Sequence, residues 1–401
     1  MTRTTTLATR ARPRSMLATL LGVSTMTIMA SATITPALPG MERHFAAVPH
    51  AALLVRLVLT LPGLAIMLSA PVLARLSGRV GRVRVLTACL VLYVLGGASG
   101  LVLDWLPGLL IGRALLGVGI AGIMTTSTAL LADHYSVHEH GRVLGWQGAA
   151  MGFGGVVALL LGGLLAALSW RGPFGIYLLA LPILVLVLRY VPEPTVQEEP
   201  TGGAGPGDGV WKPRLLALYA LMLGGVVVFY TVPTQAPFWL AQVGHAGPVV
   251  TGALIAAVNL VMTVIGLNFR RLRARCNFRV LAVTLFAAYA VGLIVVGVAG
   301  SLWVAALGMV VVGLGIGLQN PTLNGWVVSS VAPADRTRAL GLLTSALFLG
   351  QFASPLIAQP VVEATGLGRT FVLAGALGML VAALLVVLGK RLTATAAEVG
   401  R

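Results

Sequence analysis

Charge is scarce in this chain. Only 9% of its 401 residues are Asp, Glu, Lys or Arg, whereas an ordinary soluble protein carries about a quarter. A soluble fold of this length could bury an ample core, yet it would still need a charged surface to stay dissolved, so that class is excluded. Acids are scarcer still: 11 Asp and Glu stand against 27 Lys and Arg, a formal charge of +16. None of the acids (Glu42, Asp104, Asp133, Glu139, Glu193, Glu198, Glu199, Asp208, Asp335, Glu363, Glu398) falls in the middle of an apolar run. The two cysteines, Cys89 in an apolar segment and Cys276 in a basic one, have no metal-binding or redox spacing. There is no nucleophile elbow, no phosphate loop and no His or Cys cluster, so the chain reads as a non-enzyme with no cofactor and no metal. Aromatics amount to 6% and none interleave with the basic clusters, which argues against nucleic acid as a partner.

What is present is apolar: 58% of the residues are hydrophobic. About 20 such residues cross a bilayer. On that ruler the sequence predicts an all-α membrane protein of twelve transmembrane helices, roughly 15–38, 51–71, 85–103, 107–131, 143–168 and 173–191, then 213–236, 249–268, 280–299, 302–328, 339–362 and 370–389. Arg10 to Arg14 before the apolar run from Met16 imitates a signal peptide, but the many apolar segments that follow favour an uncleaved first span. All but five of the 27 basic residues fall on the side of the N-terminus. Arg43, Arg171 and Arg369 lie on the other side, and Arg56 and Arg113 inside helices. This bias predicts a multi-pass protein of the cytoplasmic (inner) membrane with both termini cytoplasmic.

The chain also repeats itself. Gly145, Gly154 and Gly117-Val-Gly-Ile recur 196 residues later as Gly341, Gly350 and Gly313-Leu-Gly-Ile, and Arg142 and Leu144 as Arg338 and Leu340. The register holds without gaps across two helices and their loop, which duplication explains better than glycine richness. Two pseudo-symmetric six-helix bundles follow, residues 1–191 and 213–401, joined by a cytoplasmic linker at 192–212. That linker holds four acids and Thr201-Gly-Gly-Ala-Gly-Pro-Gly and is expected to be partly disordered. Parallel halves of this kind place a binding site between bundles near the bilayer midplane.

Polar residues near the midplane are few, which makes each a candidate for the substrate cavity: Thr27, Asn259, Gln319, Asn320 and Gln351, joined by Tyr230 toward the outer end of the seventh helix. Each could equally be a hydrogen-bonding helix contact worth about 1 kcal/mol. An arginine inside the apolar layer costs a few kcal/mol unless it faces a cavity or a partner. Arg56 and Arg113 are therefore candidates for charge coupling or anion attraction, with Asp104, Glu42 and Glu363 as possible partners, and snorkelling to the headgroups as the simpler account. Asp104 and Glu363 are the acids nearest to a proton-carrying position. Pro36 and Pro39, with Pro233 and Pro237, could form outer gates.

Four motifs carry a family resemblance. The loop Ala74-Arg75-Leu76-Ser77-Gly78-Arg79-Val80-Gly81-Arg82 resembles the signature loop of the major facilitator superfamily at Arg79, Gly81 and Arg82. Gly78 stands where that loop carries Asp, so the charge relay lapses or passes to another acid such as Asp133 or Asp335. Leu110-Ile-Gly-Arg113 resembles the Arg-bearing fourth-helix motif. The spacing of Gly145, Gly154, Gly162 and Gly163 resembles the fifth-helix motif of the drug/proton antiporter branch. Its Gly-Pro pair is Ala158-Leu159 here, while Gly350 and Pro355 occupy the eleventh helix. Ser169-Trp-Arg-Gly-Pro-Phe174 resembles the short outer turn. The resemblance implies a secondary active transporter, a monomer in the lipid bilayer, that exports a small-molecule substrate by alternating access at the expense of protons. Import or exchange of an organic anion is the second reading, and a transport-inactive scaffold or receptor the third.

Overall fold

Twelve helices long and apolar enough to cross a membrane succeed one another in the computed structural model, which describes residues 14–135, 137–194 and 208–394. They are Arg14–His44, Ala51–Val80, Arg82–Leu101, Leu106–His134, Gly141–Leu168 and Gly172–Tyr190, then Pro213–Gly244, Pro248–Arg275, Phe278–Gly297, Leu302–Val328, Pro333–Thr365 and Leu367–Val387. They are called here the first to twelfth spans. The near face is the one from which the first span starts, and the far face its opposite. Most of the predicted linker, 195–207, and the ends 1–13 and 395–401 lie outside the described residues.

Several spans outrun the expected boundaries, because a hydropathy ruler registers only the apolar core of a helix. The second continues to Val80 and so carries the first part of the basic signature loop as helix; the eighth continues to Arg275. The seventh reaches Gly244, which puts Pro233 and Pro237 inside it rather than at its end. The first span is interrupted. Pro36 has no N–H to give, so the α-helix stops at Ala32, a 3-10 turn covers Thr35–Ala37, and a short helix Leu38–His44 completes the crossing. The sixth span opens as 3-10 helix over Gly172–Leu179 before Ala180–Tyr190 turns α-helical.

The first span packs on the fourth, fifth and sixth, the second on the fourth, and the third on the fourth and sixth. Adding six to every ordinal gives the contacts of the second half. The correspondence reaches single atoms. A Cβ built on Gly96 would meet the Gly112 carbonyl and the Leu116 amide, and one on Gly292 would meet the Gly308 carbonyl and the Val312 amide, each pair 196 residues on. Gly117 lies against Pro62 and Ala65, Gly313 against Val258 and Val261. Close approach of this kind is how helices bind one another where water supplies no hydrophobic drive. The buried apolar residues form two cores, one drawn from 16–191 and the other from 210–385 with Leu159 added. The molecule is thus an all-α membrane protein of two pseudo-symmetric six-helix bundles. Two seams join them: the fifth span on the eighth, and the second on the eleventh.

Candidate functional site

The seams are closed in one half of the molecule only. On the fifth span, Gly152 lies against Thr263, and Leu159 and Gly163 against Gly252, all on the eighth span. Positions four, seven and eleven residues before Gly152 share its helix face. They are Gly148, Gly145 and Gly141, and a Cβ on any of the three would meet nothing within 4 Å. The other seam repeats this. Gly63 of the second span meets the Phe348 carbonyl and the Gln351 side chain, while Gly78 and Gly341, further along the same two faces toward the near side, meet nothing within 4 Å. The bundles touch over the far half and stand apart over the near half.

At the far end of the closed half a polar chain crosses from one bundle to the other. Arg56, 3% exposed, donates from Nη1 to the Glu42 carboxylate at 2.7 Å and from Nε to Gln235 Oε1 at 2.8 Å. Gln235 donates to Gln359 Oε1 at 3.4 Å, and Gln359 to Glu363 Oε1 at 3.0 Å. The guanidinium also lies 4.0 Å over the Phe238 ring. Arg56 and Glu42 belong to the first bundle, and Gln235, Phe238, Gln359 and Glu363 to the second. Above this chain a cavity of about 520 Å³ opens on the far side, lined among others by Pro36, Glu42, Phe238, His245 and Thr251.

Arg113 has a different place. It is fully buried inside the first bundle, where Nη1 donates to the Tyr177 hydroxyl at 2.8 Å, and that hydroxyl donates to the Ala30 carbonyl at 2.6 Å. Rings of Phe174 and Tyr177 flank it at 4.6 and 4.9 Å. Its Nε and Nη2 have no partner, and no carboxylate among the described residues pairs with it. Of the two candidate arginines, only Arg56 lies at the junction of the bundles; the Arg113 side chain is enclosed within the first bundle against Tyr177 and Phe174.

The polar candidates also divide. Gln351, 3% exposed, sits in the seam of the second and eleventh spans with its Nε2 unpartnered. Asn259, half-buried, shares a helix face with Thr263 and Gly252 and so lies along the other seam, its amide returned to the Ile255 carbonyl. Asn259 is the repeat equivalent of Gly63. Gln319 is fully buried within the second bundle, accepting from the Tyr289 hydroxyl at 2.6 Å and donating to the Met222 carbonyl at 3.2 Å. Its repeat equivalent is Ile123, and there Tyr93 bonds Met26 directly. Gln319 thus fills a place between helices rather than lining the path. Thr27 is buried and bonds its own helix at Ser24. Asn320 is exposed on the near half of the tenth span, and Tyr230 packs beside Phe229.

Asp104 pairs with His44 and Arg171 at the far surface, not with either membrane arginine. On the near side Arg82 pairs with Asp133 and donates to the Ala129 carbonyl at 3.0 Å, whereas Arg79 is exposed without a partner among the described residues. Gly81 adopts φ +116, where a Cβ would fall 2.9 Å from the Glu193 carboxyl carbon. That carboxylate accepts from the Val83 and Arg84 amides at 3.0 and 3.3 Å, capping the third span. In the glycine motif, Gly154 lies against Thr25 and Gly162 against the Thr33 carbonyl of the first span, and Gly350 against the Leu223 carbonyl of the seventh. Pro355 is buried within the eleventh span.

Sequence reasoning passed over Gln235 and Gln359 of the crossing chain, and Gln147, whose Nε2 donates to Ser24 Oγ at 3.0 Å. Their one legible signal was polarity inside an apolar run.

A family model described as Major Facilitator Superfamily matches residues 20–355. A triacylglyceride transporter of Mycolicibacterium hassiacum is 30% identical over 197 residues, 47% of this chain and 34% of that protein. Multidrug resistance protein 3 of Bacillus subtilis is 26% identical over 166 residues, 40% of this chain and 32% of that protein. The chain thus spans about a third of the length of either relative. Among solved structures, a bacterial homolog of the human lysosomal transporter Spinster, inward-facing and occupied, superposes with a TM-score of 0.78 at 17% identity, covering 95% of this chain and 97% of that one. The nucleoside transporter NupG superposes at 0.79 with 11% identity, over 93% and 99%. At such identities these structures speak for the fold alone.

Proposed function

The chain belongs to the Major Facilitator Superfamily, and from that premise we propose that it exports a small organic molecule across the cytoplasmic membrane by alternating access, driven by the proton gradient. One observation carries the reading: the two seams are open over the near half and shut over the far half, with Arg56 bonded across the shut end. A cleft closed at one end is one of the two states that alternating access requires. The basic residues gather on the near face, so the near face is cytoplasmic and both termini lie there. The state described is then inward-open. The rocking bodies are residues 1–191 and 213–401, with 192–212 as the tether and a monomer as the working unit.

Gln351 and Asn259, one in each seam, are the amides a solute would meet as the bundles part, and the unpartnered Nε2 of Gln351 is a donor waiting for an acceptor. Export rather than import draws support from the multidrug resistance relative and from the glycine stripe of the fifth span. A second reading, exchange of an organic anion, is favoured by one feature, the Arg113 guanidinium that no carboxylate among the described residues neutralises. Flux into everted vesicles separates the two. Uptake that collapses with a protonophore supports proton-driven export; exchange that is indifferent to the gradient supports the second reading; absence of flux for every solute tested removes both.

A further inference from the structure

The acids of this chain avoid helix centres, yet one of them is built into the contact that keeps the far side shut. Among the described residues Arg56 is the one of the first bundle that donates across to Gln235, and its charge is met from its own bundle by Glu42. Glu42 is about one third exposed and lines the far-side cavity, so it is in contact with whatever medium lies there, while Arg56 beneath it is 3% exposed. The charges around this point are few. The first span brings Glu42 and, pointing to the rim, Arg43; the second brings Arg56; the eleventh brings Glu363, tied to Gln359; His245 follows the seventh. The fifth and eighth spans bring none to the cavity wall, and His44, Asp104 and Arg171 satisfy one another apart from it.

We propose that the Glu42–Arg56–Gln235 chain is an outer latch that external acid releases, so that the outward-open state is favoured when the outside is acidic. The inference rests on the inward-open reading above. Its sign follows from the geometry. With Glu42 ionised, the buried guanidinium is neutralised and free to donate Nε across the seam. A proton on Glu42 removes the bonded counter-charge and leaves a buried cation opposed only by the more distant Glu363 carboxylate, which opening to water relieves. The closed state binds the ionised form better, so by reciprocity protonation disfavours the closed state. In this state Glu42 faces the far side alone and cannot hand its proton to the cytoplasm. It therefore sets the readiness to open and is separate from the proton that drives transport.

The test needs no knowledge of the substrate. Gln351→Cys places a thiol in the seam two turns beneath Gln359, and because the Gln351 amide is unpartnered its loss breaks no hydrogen bond. Cys89 is buried and Cys276 lies at the near end of the eighth span, so neither answers a membrane-impermeant maleimide added to whole cells. Labelling rates are taken relative to an exposed far-side thiol, Ala47→Cys, which corrects for thiol ionisation. The expected result is a relative rate that rises about threefold as external pH falls from about 7.5 to about 4. With Glu42→Gln it should be high and flat over that range. Gln235→Leu, which breaks the crossing bond without touching a charge, should raise the rate at both pH values and keep a dependence on pH. A pH response in Glu42→Gln equal to that of the parent overturns the proposal, as does no response in the parent; if Glu42→Gln fails to reach the membrane, an unchanged rate in Gln235→Leu overturns it instead. Labelling reports opening alone: a response to acid with no flux of any solute sinks the export reading and leaves the latch standing.

Discussion

Arg113 and Arg56 look alike in the sequence, each a lone guanidinium within an apolar run, and they do opposite things. Arg56 is satisfied by a carboxylate, an amide and a ring, so removing it removes a bridge between bundles. Arg113 keeps two nitrogens buried without partners, which is a cost the fold bears rather than a bond it gains. Replacing even a buried ion pair by apolar residues of similar volume is often neutral or stabilising by about 1 to 4 kcal/mol, and Arg113 has no carboxylate partner among the described residues to lose. Arg113→Met should therefore reach the membrane at parental level and melt no lower than the parent, since Tyr177 keeps its bond to Ala30, while flux in vesicles falls by at least tenfold. Unchanged flux would take Arg113 out of the mechanism; a lowered melting temperature would mean that its one bond outweighs its two vacancies. The sequence could not make this distinction. In a helix that is apolar all round, nothing in the pattern says which side faces lipid and which faces a neighbour, so the rotation of each polar residue is invisible. Gln351 and Gln319 show it plainly: both are glutamines near mid-helix, yet one lies in a seam and the other inside a bundle.

At the scale of elements the sequence was more legible. Length and apolarity mark a crossing helix with little ambiguity, and all twelve predicted segments overlap a span. What lay beyond the apolar core, such as the turns of the second span up to Val80, escaped because those residues leave the bilayer and take on charge. The glycine stripe was legible as a pattern and not as a contact list. Gly162 meets the Thr33 carbonyl where Pro36 has broken the first span, a fit that no spacing rule contains. Gly162→Ala should lower the melting temperature, because overpacking a tight contact costs about 1 to 3 kcal/mol; Gly154→Leu, driven against Thr25, should cost at least as much. Glu193 acts at the same scale. It caps the third span with a carboxylate beside a glycine held at positive φ, and Glu193→Ala should cost about 1 kcal/mol, the usual worth of a lost cap. Gly81→Ala should cost more, since it meets both the strained backbone and that carboxylate. Thermal unfolding of the detergent-solubilised variants checks this order.

For the whole molecule, the effect of enlarging a glycine depends on which half of a seam it occupies. Gly252 is pressed against the Leu159 carbonyl and Gly163 in the closed far half, so a larger side chain there wedges the bundles apart at that end. Gly145 and Gly341 lie on the same two seams in the open near half, where a larger side chain meets nothing in the state described. If the cycle closes the near half by bringing those faces together, the same kind of substitution must act with opposite sign at the two ends. Gly252→Leu should raise external labelling of a Gln351→Cys reporter severalfold, whereas Gly341→Leu should leave that labelling at the parental level or below. Both should cut flux by about tenfold or more, and Gly341→Leu should do so with no loss of thermal stability, since it crowds only the state that is absent here. Glycines at Gly145 and Gly341 that tolerate leucine with full flux would mean that the near halves never meet. The repeat of 196 residues would then describe the ancestry of the chain without describing its motion.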